Sequence, residues 1–162
     1  MSLSAGDTLP DATLMHLGAE GPEEINLNEL VAGKKVVIFA VPGAYTPTCS
    51  SAHMPSFVKN ADALKAKGVD EIICVSVNDV FVMNSWGKDM GADAAGIHCF
   101  ADGDSSFTKA IGMDFSAPPV GLIDRSKRYA MVVNDGTVTA FQAEESPGVC
   151  DVSGAEHIMD AL

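Results

Sequence analysis

The sequence has few basic residues. Of its 162 residues, 10 are Lys or Arg and 22 are Asp or Glu, so the net charge is −12. Nucleic acids and anionic membranes both present negative phosphate groups, so this charge predicts no nucleic-acid partner and no membrane partner. The chain also has no apolar run near the roughly 18 residues of a membrane span, and no basic-then-apolar start typical of a signal peptide. These absences favour a cytoplasmic protein.

Paired metal-ligand cysteines are absent as well. The four cysteines are Cys49, Cys74, Cys99 and Cys150, and no two of them form a Cys-x-x-Cys motif. A zinc site is therefore not expected, and we predict no metal. In a reducing compartment these cysteines are thiols, so any disulfide among them is expected to be transient and part of the chemistry.

The apolar pattern predicts an α/β protein. A chain of this length buries roughly two-thirds of its unfolded surface, so we expect a single domain over residues 1–162. Short β-branched runs predict buried strands at residues 35–41, 71–77 and 97–101, and these alternate with helical patterns at 46–67, 80–90 and 104–112.

The two ends of the chain complete the predicted fold. Residues 5–27 indicate a loop with two short edge strands, and residues 129–141 indicate a hairpin with Asp135-Gly136 in its turn. A last helix is expected from a Ser153 cap to Leu162. Parallel βαβ units followed by a hairpin and a helix predict three layers around a mixed central sheet.

Cys49 follows the first of these buried strands. Pro42-Gly43 ends the strand, and Thr46 followed by Pro47 is a favourable start for a helix. Cys49 then lies in the first turn, where unpaired N–H groups and the helix dipole favour a thiolate. Pro55 is expected to distort this helix near its start.

Three thiol chemistries fit such a cysteine: acyl transfer, disulfide exchange and peroxide reduction. Acyl transfer needs a histidine base, and His53 lies one turn beyond Cys49, but nothing else in the sequence marks it as a base. Thioredoxin-type exchange needs a second cysteine at position 52, which is Ala.

Peroxide reduction needs a hydroxyl group and a cation beside the thiolate. Thr46 supplies a hydroxyl group three residues before Cys49, and Arg125 and Arg128 supply cations at the entrance to the hairpin. Two simpler interpretations stay open here, because Thr46 also suits a helix cap and an arginine entering a strand is commonly a solvated charge.

The segment Pro42-Gly-Ala-Tyr-Thr-Pro-Thr-Cys49 resembles the Pro-x-x-x-Thr-x-x-Cys signature of the peroxiredoxins, and its detailed form is similar to the type-V subfamily, which includes the plant type-II enzymes. Further similar segments are spread along nearly the whole chain. They begin at Ser51-Ala-His-Met-Pro, Val75-Ser-Val-Asn-Asp, Ala101-Asp-Gly and Arg125-Ser-Lys-Arg-Tyr.

The resemblance implies a thioredoxin-like fold, no metal or organic cofactor, and a homodimer. It implies that Cys49 reduces hydrogen peroxide and alkyl hydroperoxides and is regenerated by thioredoxin or by a glutaredoxin/glutathione system. The family arginine matches Arg128, with Arg125 as second choice. Pro42 is expected to shield the sulfur, and the N–H groups of Ala44 and Cys49 to line the peroxide pocket.

The resemblance leaves two candidates for the resolving cysteine, which attacks the oxidised Cys49. Some type-V members place it in the loop before the last helix, which matches Cys150, and plant-like members place it in the second strand, which matches Cys74. We favour Cys150 because loops move more readily than central strands. Cys99 is expected to pack in its strand. The alternative to an enzyme is a redox-sensing or binding protein that uses Cys49 oxidation as a signal without sustained turnover.

Overall fold

The computed structural model describes residues 2–162, and seven of the strands in this range form one mixed sheet. The strands in chain order are β1 (Thr13–Gly18), β2 (Gly21–Asn26), β3 (Lys35–Ala40), β4 (Glu71–Ser76), β5 (Ile97–Ala101), β6 (Asp114–Ala117), β7 (Leu122–Ser126), β8 (Tyr129–Asn134) and β9 (Thr137–Ala143). The order across the large sheet is β2-β1-β5-β4-β3-β8-β9. Strands β3, β4 and β5 are parallel, and the strands on either side of them are antiparallel.

Helices cover both faces of this sheet. They are α1 (Leu27–Val31), α2 (Met54–Ala66), α3 (Val80–Asp89), α4 (Ser106–Ala110) and α5 (Ala155–Asp160). Side chains of α2, α3 and α5 form one core cluster, and side chains of α1 and α4 form the other. The predicted three-layer fold with a mixed central sheet is confirmed, and it is the thioredoxin-like architecture that the resemblance implies.

Strand β3 lies in the middle of these layers. Its residues from Val36 to Ala40 are fully buried, and alternate side chains contribute to opposite cores because successive strand residues point to opposite faces. Val37 and Phe39 face α2, whereas Ile38 faces α1 and α4. The chain leaves β3 at the carboxyl edge of the parallel strands, where sites of such folds are found.

One expectation needs correction, and one pair of strands was not predicted. Ser153 does not cap the last helix: α5 has Gly154 at its N-cap, with no side-chain cap bond, and the Ser153 hydroxyl bonds to Glu144 instead. The sequence pattern also missed the two-stranded sheet of β6 and β7. These strands are short, and Pro118-Pro119 between them forms a 3₁₀ turn that in sequence is typical of a loop.

The Asp135-Gly136 turn between β8 and β9 is confirmed. Both residues have positive φ, 48° and 79°, which is the type I′ geometry that suits a two-residue hairpin. Within residues 2–162, we find no helix with the length and apolar character needed to cross a membrane.

Candidate active site

Cys49 lies in a distorted first turn of the helix that follows β3. Residues Cys49–His53 are π-helical, and the Met54 N–H donates to the Cys49 carbonyl, five residues back. Pro55 has no N–H to continue a regular α-helical ladder at this point, and a π turn absorbs that interruption. The predicted distortion at Pro55 therefore takes the form of a π segment, and it contains two fully buried side chains, Cys49 and His53.

The backbone of this turn leaves donors near the sulfur. The Ser50 N–H donates to the Thr46 carbonyl at 3.1 Å, which is the first bond of the helical ladder. The N–H groups of Thr48 and Cys49 precede that bond, so the helix does not use them. They are available to a negatively charged or strongly polar group beside the sulfur.

Thr46 contacts the sulfur directly. Its Oγ1 lies 2.8 Å from Cys49 Sγ and 2.7 Å from the Gly43 carbonyl oxygen. One hydroxyl hydrogen serves only one of these acceptors at a time. When the sulfur is a thiol, its S–H donates to Oγ1 and Thr46 donates to Gly43; when the sulfur is a thiolate, Thr46 donates to it. The hydroxyl group therefore accommodates both states, and its contacts are not those of a helix cap.

Arg128 brings a positive charge to the same sulfur. It is 1% exposed, and its Nη2 donates to Cys49 Sγ at 3.2 Å and to the Pro147 carbonyl at 2.9 Å. Over residues 2–162 it makes no salt bridge with a carboxylate. With no carboxylate among the described residues to neutralise it, this buried positive charge is directed at the Cys49 sulfur. The interpretation of Arg128 as a solvated surface charge is therefore wrong.

Both ring nitrogens of His53 have hydrogen-bond partners other than the sulfur. Nδ1 lies 2.9 Å from Arg128 Nη1, and Nε2 lies 2.9 Å from the Ser153 carbonyl oxygen. Burial, together with the charge of Arg128, lowers the pKa of His53 from 6.5 to about 3. A ring that is neutral and bonded on both sides is not arranged as a base for Cys49, which removes the structural support for acyl transfer.

The loop that carries Cys150 is attached to the site at several points. Pro147 bonds to Arg128, and the Thr48 hydroxyl group donates to the Gly148 carbonyl at 3.2 Å. Beyond Cys150, Glu144 Oε2 accepts bonds from the N–H groups of Val152 and Ser153 at 2.8 and 2.7 Å. The loop is thus held on both sides of Cys150.

The two resolving candidates differ in their surroundings. Cys150 is partly buried, and its Sγ lies 3.9 Å from Ser153 Oγ. Cys74 is fully buried in β4, where its register partners are Phe39 on one side and Cys99 on the other. Burial raises the pKa of both thiols, and it raises that of Cys74 well above the ordinary value. All four cysteines are free thiols in this structure.

The remaining predicted residues lie in the turn before the helix. Pro42 is buried, and its carbonyl oxygen is 3.4 Å from Nη1 of Arg125. Arg125 is thus placed beside the turn, whereas Arg128 reaches the sulfur. The Ala44 N–H, predicted to line the pocket, donates to Asn78 Oδ1 at 2.9 Å. That N–H is already engaged, which leaves the N–H of Cys49 as the freer of the two predicted donors.

Sequence reasoning did not assign roles to three residues that shape this site. Asn78 holds the turn through Ala44 and also accepts from the Ser76 hydroxyl at 2.6 Å. Glu144 holds the Cys150 loop, and His53 holds Arg128. Asn78 and His53 fall inside the segments that carry the family resemblance, so their position was visible in the sequence, but their partners were not.

Comparisons with known proteins extend over almost the whole chain. A sequence model of the Redoxin family matches residues 4–159. Peroxiredoxin-2E-2, chloroplastic, of Oryza sativa subsp. japonica is 47% identical over 165 residues, which cover 99% of this chain and 73% of that protein. The crystal structure of reduced Prx3 from Vibrio vulnificus in complex with H₂O₂ is 51% identical, with a TM-score of 0.92 and 98% of each chain covered. Peroxiredoxin 5 from Alvinella pompejana is 26% identical, with a TM-score of 0.85 over 98% of this chain and 97% of that one.

Proposed function

Since this chain belongs to the redoxin family and, within it, to the type-V and plant type-II peroxiredoxins, we propose that Cys49 is the residue that attacks the peroxide. The protein is a thiol-dependent peroxidase, and the alternative of a redox sensor without turnover is not favoured. One observation carries the assignment of the residue. The buried guanidinium of Arg128, with no carboxylate partner among the described residues, donates to Cys49 Sγ.

The proposed reaction begins with the thiolate of Cys49. The sulfur attacks the terminal oxygen of R–O–O–H, so an S–O bond forms and the O–O bond breaks. Cys49 is oxidised by two electrons to a sulfenic acid, and R–O⁻ leaves and takes up a proton. Negative charge moves from the sulfur onto the leaving oxygen during this step. Fixed donors lower the barrier most where charge develops, and here they are Arg128 Nη2, the Thr46 hydroxyl group and the N–H of Cys49.

The burial of Cys49 limits which part of a substrate can reach its sulfur. Cys49 is fully buried, whereas Thr46 and Thr48 beside it are partly exposed. Only a narrow end of a molecule reaches a sulfur at this depth. The –OOH end of hydrogen peroxide or of an alkyl hydroperoxide has that shape, and we propose both as substrates.

Cys150 is proposed as the resolving cysteine. Its thiolate attacks the sulfenic sulfur, which forms the Cys49–Cys150 disulfide and releases hydroxide. Four hydrogen bonds to Arg128, Thr48 and Glu144 hold its loop, and they are replaceable by water. Attack by Cys74 requires an opening of the central sheet or of the helix above it, a larger rearrangement.

Peptide mapping under non-reducing conditions, after one equivalent of peroxide, tests the resolving step. The expected product is a Cys49–Cys150 link. A Cys49–Cys74 link would reverse the ranking of the two cysteines. A sulfenic acid that persists on Cys49 would indicate resolution by an external thiol such as glutathione.

A homodimer is proposed from the exposed apolar side chains near the site. Tyr45 is 53% exposed, and its hydroxyl bonds to Ser85 and Asp89 hold its ring against α3, the helix that carries Phe81, which is 60% exposed. A second copy that packs on this surface would cover both rings. Sedimentation at micromolar concentration should give twice the monomer mass, and a single species of monomer mass would contradict the proposal.

The reductant and the cellular location are also proposals. We propose thioredoxin or a glutaredoxin/glutathione system as the electron donor, and the cytoplasm, a reducing compartment in which disulfides are transient, as the location. Peroxide consumption by the purified protein, with each reducing system supplied in turn, identifies the donor. Cell fractionation with an antibody to the protein identifies the compartment.

The central assignment is tested by Cys49→Ser. This variant should lose peroxide turnover with every donor, because a serine hydroxyl group does not replace the thiolate as a nucleophile. Cys99→Ser is the matched control, since Cys99 has no assigned role, and it should keep turnover. Near wild-type turnover by Cys49→Ser would overturn the assignment.

A further inference from the structure

His53 has two hydrogen bonds whose direction can be assigned. A carbonyl oxygen only accepts, so Nε2, which is 2.9 Å from the Ser153 carbonyl, carries the ring hydrogen. A neutral ring then has a lone pair at Nδ1, and Arg128 Nη1 donates to it at 2.9 Å. Both side chains are buried, at 0% and 1% exposure, so water does not compete for these bonds.

The ring is itself held in place by the core. Its centroid lies 5.1 Å from that of Phe39 on β3 and 5.6 Å from that of Phe57 on α2. Those two rings stack on each other at 3.9 Å. A side chain fixed by a strand, a helix and a backbone carbonyl presents its Nδ1 lone pair in one direction.

We propose that His53 is a positioning residue for the peroxidase reaction, because its Nδ1 holds the Arg128 guanidinium in the orientation in which Nη2 donates to Cys49 Sγ. This inference rests on the proposed role of Arg128. The guanidinium is planar, so a bond at Nη1 determines where Nη2 points. Nη1 has His53 as its partner, and Nε is buried without one.

A histidine that only fills the core would show the same burial, so the test must separate packing from positioning. His53→Asn places an amide oxygen close to the position of Nδ1 and loses the bond to Ser153. His53→Gln extends its amide toward the position of Nε2 and loses the bond to Arg128. His157→Asn, in an exposed position on α5, is the matched control.

The first measurement is the second-order rate constant for oxidation of Cys49 by hydrogen peroxide. Trp86 is the only tryptophan, and its Nε1 donates to the hydroxyl group of Ser50, next to Cys49, so we expect its fluorescence in stopped flow to change when Cys49 is oxidised. We expect His53→Asn and His157→Asn to stay within about threefold of wild type. His53→Gln should be slower by about tenfold or more, because small errors in position are costly in a reacting site. If His53→Asn is as slow as His53→Gln, the inference is overturned.

The second measurement repeats His53→Gln in an Arg128→Met background. With no guanidinium to position, the substitution should add less than about a twofold loss, whereas independent effects would multiply. Equal losses in both backgrounds would overturn the inference. If His53→Gln does not fold, the rate constant of His53→Asn alone tests the inference. A tenfold loss of rate in a folded His53→Asn variant would contradict positioning by the Nδ1 acceptor. A wild-type rate for Arg128→Met alone would instead overturn the proposed role of Arg128.

Discussion

Replacing Arg128 with Met should separate the rate of peroxide reduction from the stability of the fold. Met has a similar length but no charge and no donor, so the 3.2 Å bond from Nη2 to the Cys49 sulfur is lost. Removing one donor aimed at developing charge costs about 10²–10³ in rate, or about 3–4 kcal/mol in the barrier. We expect a loss of this size in the rate constant for Cys49 oxidation.

Stability should change much less, because two contributions oppose each other. Removing a buried charge that has no carboxylate partner among the described residues relieves its desolvation, which costs on the order of several kcal/mol per buried ion. Against this, His53 Nδ1 and the Pro147 carbonyl lose a donor, at about 1–3 kcal/mol each. The net change in the free energy of unfolding is therefore expected to lie within about 2–3 kcal/mol of zero.

Two measurements on purified protein check both expectations. Stopped-flow fluorescence of Trp86 gives the oxidation rate, and urea unfolding gives the stability. Arg125→Met is the matched control, since Arg125 is partly exposed and, within residues 2–162, its guanidinium makes one hydrogen bond, to the Pro42 carbonyl at 3.4 Å, and none to the sulfur. A rate for Arg128→Met within threefold of wild type would refute the reasoning. So would a larger loss for Arg125→Met than for Arg128→Met.

Three further predictions concern neighbouring groups. Thr46→Val should slow peroxide reduction by about 10²-fold, and Thr46→Ser should restore most of the rate, since it keeps the hydroxyl group 2.8 Å from the sulfur; equal rates for both variants would contradict this. Burial raises the pKa of Cys150 from 9.0, so disulfide formation in quenched-flow mapping should increase about tenfold per pH unit between pH 7 and 9, and a flat profile would count against Cys150. For Glu144, burial alone raises the pKa, but bonds from Ser153 and Val152 outweigh it and the net pKa lies below 4.5. The carboxylate of Glu144 therefore stabilises the loop fully above pH 4.5, and this stabilisation is lost as the pH falls below that value. Proteolysis of the loop in the wild type should increase below pH 4.5. In Glu144→Gln, which lacks the carboxylate, the loop should be cleaved readily at pH 7 as well.

The parts of the fold that were predictable from sequence are those with short-range signals. Strand β3 is apolar from Val36 to Ala40 because both of its faces are covered there, and its C-terminal boundary differs from the prediction by one residue. The Asp135-Gly136 turn has the backbone angles that those residue types favour. Strands β6 and β7 gave no such signal, since each is short and their pairing is irregular between Phe115 and Ala117.

The site shows the same division. Thr46 and Cys49 are three residues apart on one turn, so their contact was predictable from local structure. Arg128 is 79 residues from Cys49, and only the family resemblance ranked it above Arg125. His53 was considered as a base for Cys49, but its partners lie 75 and 100 residues away, and no local pattern specifies them. Ser153 was predicted to cap the last helix because local sequence favours that role. Its actual bond to Glu144 depends on how the loop folds back, which no local pattern specifies.

The absence of charge on the His53 ring explains why a histidine is suited to this position beside Arg128. The chain carries 22 acidic residues, yet within residues 2–162 none forms a salt bridge with Arg128. A carboxylate in place of the imidazole would hold the guanidinium equally well, but its negative charge would cancel part of the field that Arg128 exerts on the sulfur. With a pKa of about 3, the ring stays neutral at physiological pH and accepts the bond without adding charge. Within residues 2–162 the acceptors of the guanidinium are an imidazole nitrogen, a carbonyl oxygen and the Cys49 sulfur, so the sulfur, which we propose attacks the peroxide, is the only one of them that can take on a negative charge.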